Sequence, residues 1–338
     1  MVYLDHAATT PLRKEAFNVM LPYFAEHAAN ANALYAEGRK ARSAIDQARG
    51  QIADAIHAKS SEIYFTGGGS ESDNWALFGV MRALEGKNHI ITTQIEHHAI
   101  LNACAALESL GYDVTYVPVD QWGRVSPQDI EKAIRPETGL VSVMAANNEV
   151  GTIQPIAEIA RIAHAHGVLM HTDAVQAVGH IPIDVATLNV DLLSMAAHKF
   201  YGPKGIGALI ARRGVRLSPR IEGGGQEKGL RSGTENTAGI AGFAAAAEWM
   251  LAQTERGEAL RAAKLRLYAR LRAEIPNLHV NGPDPEGKDA APHILNLSLG
   301  VRGEVMLHAL EAEGVYVGNG SACSTHKREM SAAFKAMR

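Results

Sequence analysis

Between residues 60 and 210, short runs of β-branched and apolar residues alternate with longer stretches whose composition suits helices. The short runs predict strands at 62–65, 89–93, 112–117, 140–145, 168–172, 191–196 and 206–211. Strands separated by helices of this length form βαβ units, in which the strands are mostly parallel. Nearly continuous apolar strands suit a sheet that is covered on both faces. The sequence therefore predicts an α/β fold with a central, mostly parallel sheet flanked by helices.

The composition of the sequence changes after this region. Residues 236–273 are rich in Ala, Leu, Arg and Glu, and predict one long helix or a pair of helices. Pro and Gly residues at 281–287 indicate a loop. A strand at 293–299, a helix at 304–311 and a short strand at 315–317 are expected to follow. We expect a large domain over residues 15–260 and a smaller α+β domain made of residues 1–14 and 261–338.

Composition and charge exclude several classes of protein. Hydrophobic residues make up 46% of the 338 residues and charged residues 20%, which is typical of a soluble globular chain. The net charge of −3 offers no basic excess for direct binding of nucleic acid. No apolar run approaches the ~18 residues that a membrane helix needs, and the start of the chain has no secretory signal pattern. We therefore expect a cytoplasmic protein without a membrane partner.

A glycine-rich segment follows the first predicted strand of the sheet. Residues 66–72 read Thr-Gly-Gly-Gly-Ser-Glu-Ser and open a predicted helix. The glycines allow close approach of a ligand, the helix N-terminus offers N–H groups, and Ser70 adds a hydroxyl, which together suit a phosphate. The segment lacks the lysine of a Walker A loop and the spacing of a dinucleotide fingerprint. Taken alone, it fits a simple strand-to-helix turn equally well.

Polar residues also follow two other predicted strands. His97 and His98 come after the strand at 89–93. Adjacent helical residues point about 100° apart, so the two are poor co-ligands for one metal ion. One of them can serve as an acid, a base or a stacking group, although a histidine in an ordinary helical turn explains them as well. Asn147 and Asn148 suggest hydrogen bonds to a ligand, but turns rich in Asn are common.

An aspartate and a lysine occupy the ends of two further strands. Asp173 follows an apolar strand, where a buried carboxylate usually needs a cationic partner. Lys199 follows the next strand, where a low dielectric would lower its pKa and allow it to form a Schiff base; the alternative is a solvated lysine in a turn. A zinc site built from His164, His166, His171 and Asp173 is disfavoured, because the first two point to different sides of one helix. We expect no metal.

One cofactor accounts for these features together. A phosphate cradle, a stacking histidine, an aspartate and a lysine that forms a Schiff base are what pyridoxal 5′-phosphate requires. The chain resembles the cysteine desulfurases, the NifS- and IscS-like group of class V aminotransferases and fold-type-I pyridoxal-phosphate enzymes. Eight segments carry this resemblance in the family's order and at its spacing: 3–11, 70–74, 96–98, 147–151, 171–176, 198–205, 231–234 and 320–323.

The resemblance implies an activity and its partners. It implies a homodimer that converts L-cysteine to L-alanine and holds the released sulfur as a persulfide on Cys323. The sulfur then passes to iron–sulfur scaffold proteins or to sulfur carriers for tRNA thiolation. The alternative is a cofactor-binding remnant, or another pyridoxal-phosphate lyase or transaminase that transfers no persulfide. Cys104 lies in an apolar predicted helix and is expected to be a core residue.

The resemblance also implies roles for individual residues. Lys199, Cys323 and His97 are the implied catalytic residues: Lys199 attaches the cofactor and moves protons, Cys323 attacks the substrate sulfur, and His97 stacks on the ring. Further implied cofactor contacts are Asp173 at the ring nitrogen, Gln176 and Asn148 at the ring oxygen, Gly69, Ser70 and His198 at the phosphate, and Thr234 at the phosphate of the neighbouring subunit. Asn148 and Arg231 are expected close to the substrate.

The sequence departs from the family pattern at three places. Ala196 stands where the family usually has a Ser that binds the phosphate, so one hydroxyl is missing. Residues 30–35 differ from the family's usual loop sequence. The chain stops at Arg338, and family members continue through a helix and a strand that carry an Arg for the substrate carboxylate. We therefore expect either a chain that is truncated relative to the family or a natural variant with weakened binding of the amino acid.

Overall fold

The computed structural model describes residues 1–253, 255–320 and 330–338. Cys323 lies outside the described residues, so its predicted role stays a prediction.

In the described ranges, the central sheet contains seven strands, and four further short strands lie outside it. In chain order the strands are β1 (Val2–Tyr3), β2 (Ile63–Thr66), β3 (His89–Thr93), β4 (Asp113–Val117), β5 (Thr138–Ser142), β6 (Leu169–Asp173), β7 (Leu192–Ala196), β8 (Gly207–Ala211), β9 (His279–Val280), β10 (Leu297–Ser298) and β11 (Val315–Tyr316).

Helices connect the strands and cover the sheet. In chain order they are α1 (Lys14–Met20), α2 (Pro22–Ala25), α3 (Ala36–Ala55), α4 (Gly69–Ala83), α5 (His98–Ser109), α6 (Pro127–Ala133), α7 (Ile156–Ala165), α8 (Val185–Leu188), α9 (Thr237–Leu251), α10 (Arg256–Glu274), α11 (Gly303–Ala312) and α12 (Ala332–Ala336).

The strand order in the sheet is β2-β8-β7-β6-β5-β3-β4. All neighbouring pairs are parallel except those of β8, which runs antiparallel to both β2 and β7. The predicted α/β fold with a mostly parallel central sheet is thus confirmed. The stretch at 236–273 forms a pair of helices, α9 and α10, rather than one continuous helix.

Alternate side chains of the strands pack on opposite faces of the sheet, as the two-residue period of a strand requires. In β5, Leu140 belongs to a buried cluster with Trp75 and Leu77 of α4, whereas Val141 belongs to the buried cluster of the other face, which includes residues of α3 and α9. All of these side chains are buried, which explains why both faces of each strand are apolar. The sheet is therefore a rigid layer between two sets of helices.

The chain termini and the segments after α10 build a smaller unit. β1 pairs in parallel with β11, and β9 pairs with β10 in antiparallel orientation. Lys264 of α10 donates a hydrogen bond to the carbonyl oxygen of Ala291 at 2.7 Å, which fastens the loop between β9 and β10 to the helix. The domain boundaries at residues 14 and 260 stay a prediction. Within the described ranges, no helix has the length and apolar character needed to cross a membrane.

Candidate active site

The predicted site residues lie at one edge of the sheet. The carboxyl ends of β3, β5, β6 and β7 meet there, because these neighbouring strands are parallel. Open α/β sheets bind ligands outside this edge. Each of these strand ends leads into a segment with a predicted site residue: His97 after β3, Asn148 after β5, Gln176 after β6 and Lys199 after β7. Asp173 is itself the last residue of β6.

The glycine-rich segment forms a close-packed turn at the same edge. α4 begins at Gly69, and Gly68 before it has a φ of 148°, which side-chain-bearing residues rarely adopt. A Cβ atom on Gly69 would lie 2.7 Å from Cγ2 of Val175 and 3.6 Å from Cβ of Ala196. Only glycine fits this contact between three segments of the chain. Ser70 is exposed in the first turn of α4, where the helix N-terminus favours an anion.

The N-terminal segment lies across the lysine. Nζ of Lys199 donates hydrogen bonds to the carbonyl oxygens of Ala7 at 2.6 Å and Ala8 at 2.9 Å. Nε2 of Gln176 donates to the same Ala7 oxygen at 2.7 Å. Nδ1 of His198 lies 3.1 Å from Oγ1 of Thr9. Three predicted site residues are therefore brought together at residues 7–9, two of them on backbone carbonyls and His198 on the Thr9 hydroxyl.

Asp173, His97 and Lys199 form an electrostatic group. Burial raises the pKa of the Asp173 carboxyl, and the charges of His97 and Lys199 lower it, as does the N–H of Val175, which donates to Oδ1 at 2.9 Å. Burial lowers the pKa of His97, and the negative charge of Asp173 opposes that shift. Nδ1 of His97 accepts a hydrogen bond from the N–H of Ala99 at 3.1 Å, which caps α5. Asp173 thus interacts electrostatically with both His97 and Lys199.

His198 is neutral at physiological pH. Burial and the charges of Lys199 and Lys204 lower its pKa to about 4. A neutral imidazole next to Lys199 can offer either a hydrogen-bond donor or an acceptor to a ligand.

The remaining described candidates lie at the margin of this group. Asn148 is half-buried in the turn after β5. Arg231 forms a bidentate ion pair with Glu71 of α4, with N···O distances of 2.8 and 3.1 Å. Thr234 is exposed and lines a cavity of about 140 Å³ together with Gly67. Its side chain is accessible from outside the subunit.

The histidines of the disfavoured zinc site have other partners. Nε2 of His164 lies 2.7 Å from Oδ2 of Asp191, and His166 lies 3.5 Å from Glu131. His171 is fully buried between two serine hydroxyls. Within residues 1–253, 255–320 and 330–338, no group of three or more His, Cys, Asp or Glu side chains is arranged to hold a metal ion.

Sequence reasoning missed two parts of the site. The backbone carbonyls of residues 7 and 8 carry no side-chain signal, although the segment 3–11 contributes to the family resemblance. Glu71 and Asp73 are the other missed residues; they follow Ser70 in a resembling segment, and the first of them pairs with Arg231. Acidic residues in the first turns of a helix that starts at the sheet edge were the available signal.

Comparison with known proteins shows the family. The model of the aminotransferase class-V family matches residues 2–338. The chain belongs to this family. The cysteine desulfurase IscS of Dictyoglomus turgidum is 49% identical over 340 residues, which cover 99% of this chain and 85% of that protein. The cysteine desulfurase IscS of Methanosarcina thermophila is 48% identical, and the match covers 98% of this chain and 81% of that protein.

Solved structures agree with this assignment. A NifS-like protein superimposes with a TM-score of 0.90 at 37% identity, over 99% of this chain and 89% of that one. SspA in complex with cysteine superimposes with a TM-score of 0.87 at 38% identity, over 100% of this chain and 94% of that one. The resemblance to the cysteine desulfurase group of class V aminotransferases is thereby confirmed, and so is the fold. The family cofactor, pyridoxal 5′-phosphate, is the cofactor of this chain.

The described residues fit this cofactor. Lys199 supplies an amine at the sheet edge, Asp173 a buried carboxyl near it, and Gly69 a turn with no room for a side chain. Ala196 lies next to the turn, where its methyl group offers no hydrogen bond. The described residues therefore supply an amine, a buried carboxyl and a close-packed turn, which suit this cofactor.

Proposed function

We propose that this chain is a cysteine desulfurase that converts L-cysteine to L-alanine and stores the sulfur on Cys323. The carbon–sulfur bond of the substrate breaks, and a sulfur–sulfur bond forms with the cysteine thiol, so that one thiol and L-cysteine become one persulfide and L-alanine. The observation that supports this most directly is the meeting of Lys199, Asp173 and the glycine turn at one sheet edge.

Several residues are proposed to hold the cofactor. Lys199 would bind its aldehyde carbon, Asp173 its ring nitrogen, and the turn at Gly69 and Ser70 its phosphate, together with His198. When bound, pyridoxal phosphate supplies a ring that withdraws electrons from the substrate. His97, Gln176 and Asn148 are the remaining proposed contacts.

Two side chains of the site are suited to moving protons. The amine of Lys199 donates to the carbonyl oxygens of Ala7 and Ala8, and its charge lowers the pKa of Asp173. Burial lowers the pKa of His97 and the negative charge of Asp173 opposes that shift, so its imidazole is suited to exchanging a proton. We propose that Lys199 is the main proton carrier and that His97 stacks on the ring and assists.

Arg231 is proposed to lie on the substrate path. Its guanidinium is held by Glu71, whose carboxylate also accepts a hydrogen bond from the N–H of Gly67 at 2.6 Å. A carboxylate of the substrate and that of Glu71 would compete for the same donors. This arrangement suits a gate residue more than a permanent clamp.

The chain is proposed to act as a homodimer. Thr234 is exposed, as expected of a residue that reaches the phosphate of a neighbouring subunit. Several apolar side chains between residues 17 and 35 are also exposed, among them Phe24 at 64%, Leu34 at 90% and Tyr35 at 61%. Exposed apolar groups in one stretch of sequence suit a subunit interface. The proposed sulfur acceptors are iron–sulfur scaffold or sulfur-carrier proteins of the cytoplasm.

One comparison of variants tests the proposed reaction. The wild-type protein, loaded with pyridoxal phosphate, should release alanine from L-cysteine and gain the mass of one sulfur atom on Cys323. Cys323→Ala should keep the cofactor absorption and lose the added sulfur. Cys104→Ala is the matched control, because Cys104 is fully buried and its pKa is raised to about 12, which leaves it unreactive. Sulfur labelling that persists in Cys323→Ala would disprove the proposed role of this residue.

A further inference from the structure

A row of polar side chains is buried beneath the site, on the sheet face that α4 covers. Residues two apart in a strand share a face, so His171 and Asp173 of β6 both point toward α4. Ser194 of β7 is the register partner of Asp173, and its Oγ lies 3.0 Å from Nε2 of His171. Nδ1 of His171 lies 2.9 Å from Oγ of Ser142 in β5. The row continues into α4 at Asp73, whose Oδ1 lies 3.8 Å from Nε2 of His171 and whose carboxyl interacts with the hydroxyl of Ser194.

Among the described residues, Asp73 has no cationic partner. Its Oδ1 lies 3.8 Å from Nε2 of His171, a distance at which a charged imidazole would form an ion pair. His171 is neutral, however, because both ring nitrogens bond to serine hydroxyls and burial lowers its pKa to about 3. The Asp73 side chain is 1% exposed, and its Oδ1 has no hydrogen-bond partner in the described part of the chain. An ionised carboxylate is unfavourable in such a place.

Asp173 differs from Asp73 in having charged neighbours. Burial raises the pKa of Asp173 as well, but the charges of His97 and Lys199 and the N–H of Val175, which donates to its Oδ1, oppose that rise. Glu96 is the third buried carboxyl of this region; it accepts hydrogen bonds from the hydroxyl of Thr93 and the N–H of Met144. Burial raises the pKa of Glu96 to about 8, and burial together with the charge of Asp173 raises that of Asp73. Three carboxyls so close in a low dielectric cannot all be ionised.

We propose that Asp73 is a positioning residue, which keeps a proton and donates it in a hydrogen bond through Ser194 toward His171, so that Asp173 carries the negative charge of the pair. The inference rests on the proposed role of Asp173 as the partner of the cofactor ring nitrogen. Donation from Asp73 lets Ser194 donate to Nε2 of His171, which places the imidazole proton on Nδ1 toward Ser142. The hydrogen bonds of this buried row thereby all run in one direction, from Asp73 to Ser142. The single negative charge is on Asp173, which faces the site.

Infrared difference spectra of the holoenzyme test where the proton is. Wild-type protein, Asp73→Asn, Asp173→Asn and Glu96→Gln are each measured at neutral pH with excess pyridoxal phosphate. We expect Asp73→Asn to remove a carbonyl band of a neutral carboxylic acid, and Asp173→Asn to remove the bands of a carboxylate. Glu96→Gln identifies the separate acid band of Glu96. Loss of a carboxylate band in Asp73→Asn, or of an acid band in Asp173→Asn, would overturn the proposal.

A second measurement tests the hydrogen bond to Ser194. Ser194→Ala should shift the Asp73 acid band to higher frequency, because the acid loses its acceptor, whereas Ser194→Thr should leave the band in place. An unshifted band in Ser194→Ala would show that the acid donates elsewhere. Asparagine replaces a neutral donor with another, so Asp73→Asn should change the Kd of pyridoxal phosphate by no more than about threefold, and a larger change would contradict the proposal.

These readouts separate the inference from the proposed activity. The infrared bands depend on ionisation in the loaded protein and require no turnover. A protein that binds the cofactor and fails to desulfurate cysteine would therefore refute the proposed function while the assignment of the proton to Asp73 is still tested independently.

Discussion

The side-chain nitrogen of Lys199 lies 2.6 Å from the carbonyl oxygen of Ala7, although 192 residues separate the two in sequence. A backbone acceptor cannot be removed by changing a side chain, so this contact depends on the path of the N-terminal segment. The lysine is consequently held at the sheet edge by the first residues of the chain. Its position near Asp173 results from this contact and from the strand that precedes it.

Lys199→Ala should abolish the visible absorption that its link to the cofactor produces. Loss of the proton carrier should lower turnover of L-cysteine by about 10²–10⁴-fold. Lys204→Ala is the matched control, because that lysine is exposed five residues later and should leave absorption and turnover unchanged. Absorption spectra and alanine release measure both effects. Normal absorption in Lys199→Ala would refute the assignment of the lysine.

Ala196→Ser should tighten cofactor binding. The Cβ of Ala196 lies beside the turn at Gly69, so a hydroxyl there can donate to the phosphate. A hydrogen bond to a charged group contributes about 1.5–3 kcal/mol, which predicts a decrease of at least about tenfold in the Kd of pyridoxal phosphate. Ala197→Ser is the control, since Ala197 packs against Gly202 instead. Equal Kd values for Ala196→Ser and wild type would place the phosphate elsewhere.

Mixing two inactive variants tests whether Thr234 serves the neighbouring subunit. Thr234→Glu puts a negative charge against the phosphate, and Lys199→Ala removes the amine. A mixed dimer has one site with both wild-type residues only if Thr234 acts across the interface. Random mixing of equal amounts should then restore about one quarter of wild-type activity. If Thr234 acts within its own subunit, the mixture stays as inactive as the separate variants.

The buried ion pair between Arg49 and Glu227 should be essential for stability. Its two N···O distances are 2.8 and 2.7 Å, and both side chains are almost fully buried. Glu227→Ala leaves a buried guanidinium without its carboxylate and should lower the free energy of unfolding by about 3–5 kcal/mol. The exposed pair of Lys132 and Asp129 provides the control, because Lys132→Ala should cost less than about 1 kcal/mol. Urea unfolding measures both changes.

Stability should depend on pH through Glu96. Burial raises its pKa to about 8 from an ordinary value of 4.5, so the folded state keeps a proton that the unfolded chain releases. The stabilisation is complete below about pH 4.5 and is lost as the pH rises through about 8. Gln has no proton to release in this pH range. As the pH rises, the free energy of unfolding of wild type should therefore fall relative to that of Glu96→Gln, by up to about 5 kcal/mol. A difference that is the same at pH 5 and pH 9 would contradict this.

Much of the fold could be predicted because it follows from local periodicity. Each of the seven predicted strands of the sheet is present, since apolar runs of this length are buried on both faces. The antiparallel direction of β8 was not predictable. A helix between two strands indicates clearly that they are parallel, whereas the short connection between β7 and β8 indicates an antiparallel pair less clearly. The break between α9 and α10 depends on tertiary packing of two chemically similar helices.

Those site residues that come at or directly after the end of a strand could be predicted from the sequence. Lys199, Asp173 and His97 come from three strands, and the parallel sheet brings them to one edge. The buried acid at Asp73 could not be predicted in this way, since its partners come from the middle of neighbouring strands rather than from their ends. The contact of Lys199 with Ala7 needs the complete tertiary structure.

The position of the N-terminal segment has a consequence for the synthesis of the protein. β1 pairs with β11 through Val2 and Val315, and the residues that follow β1 contact Lys199. A ribosome makes residues 2–8 long before it makes Lys199 and Val315, and chain segments with distant partners find them late. Residues 2–8 are thus made early and fastened late, and the lysine reaches its resting position only after segments far apart in the sequence have met.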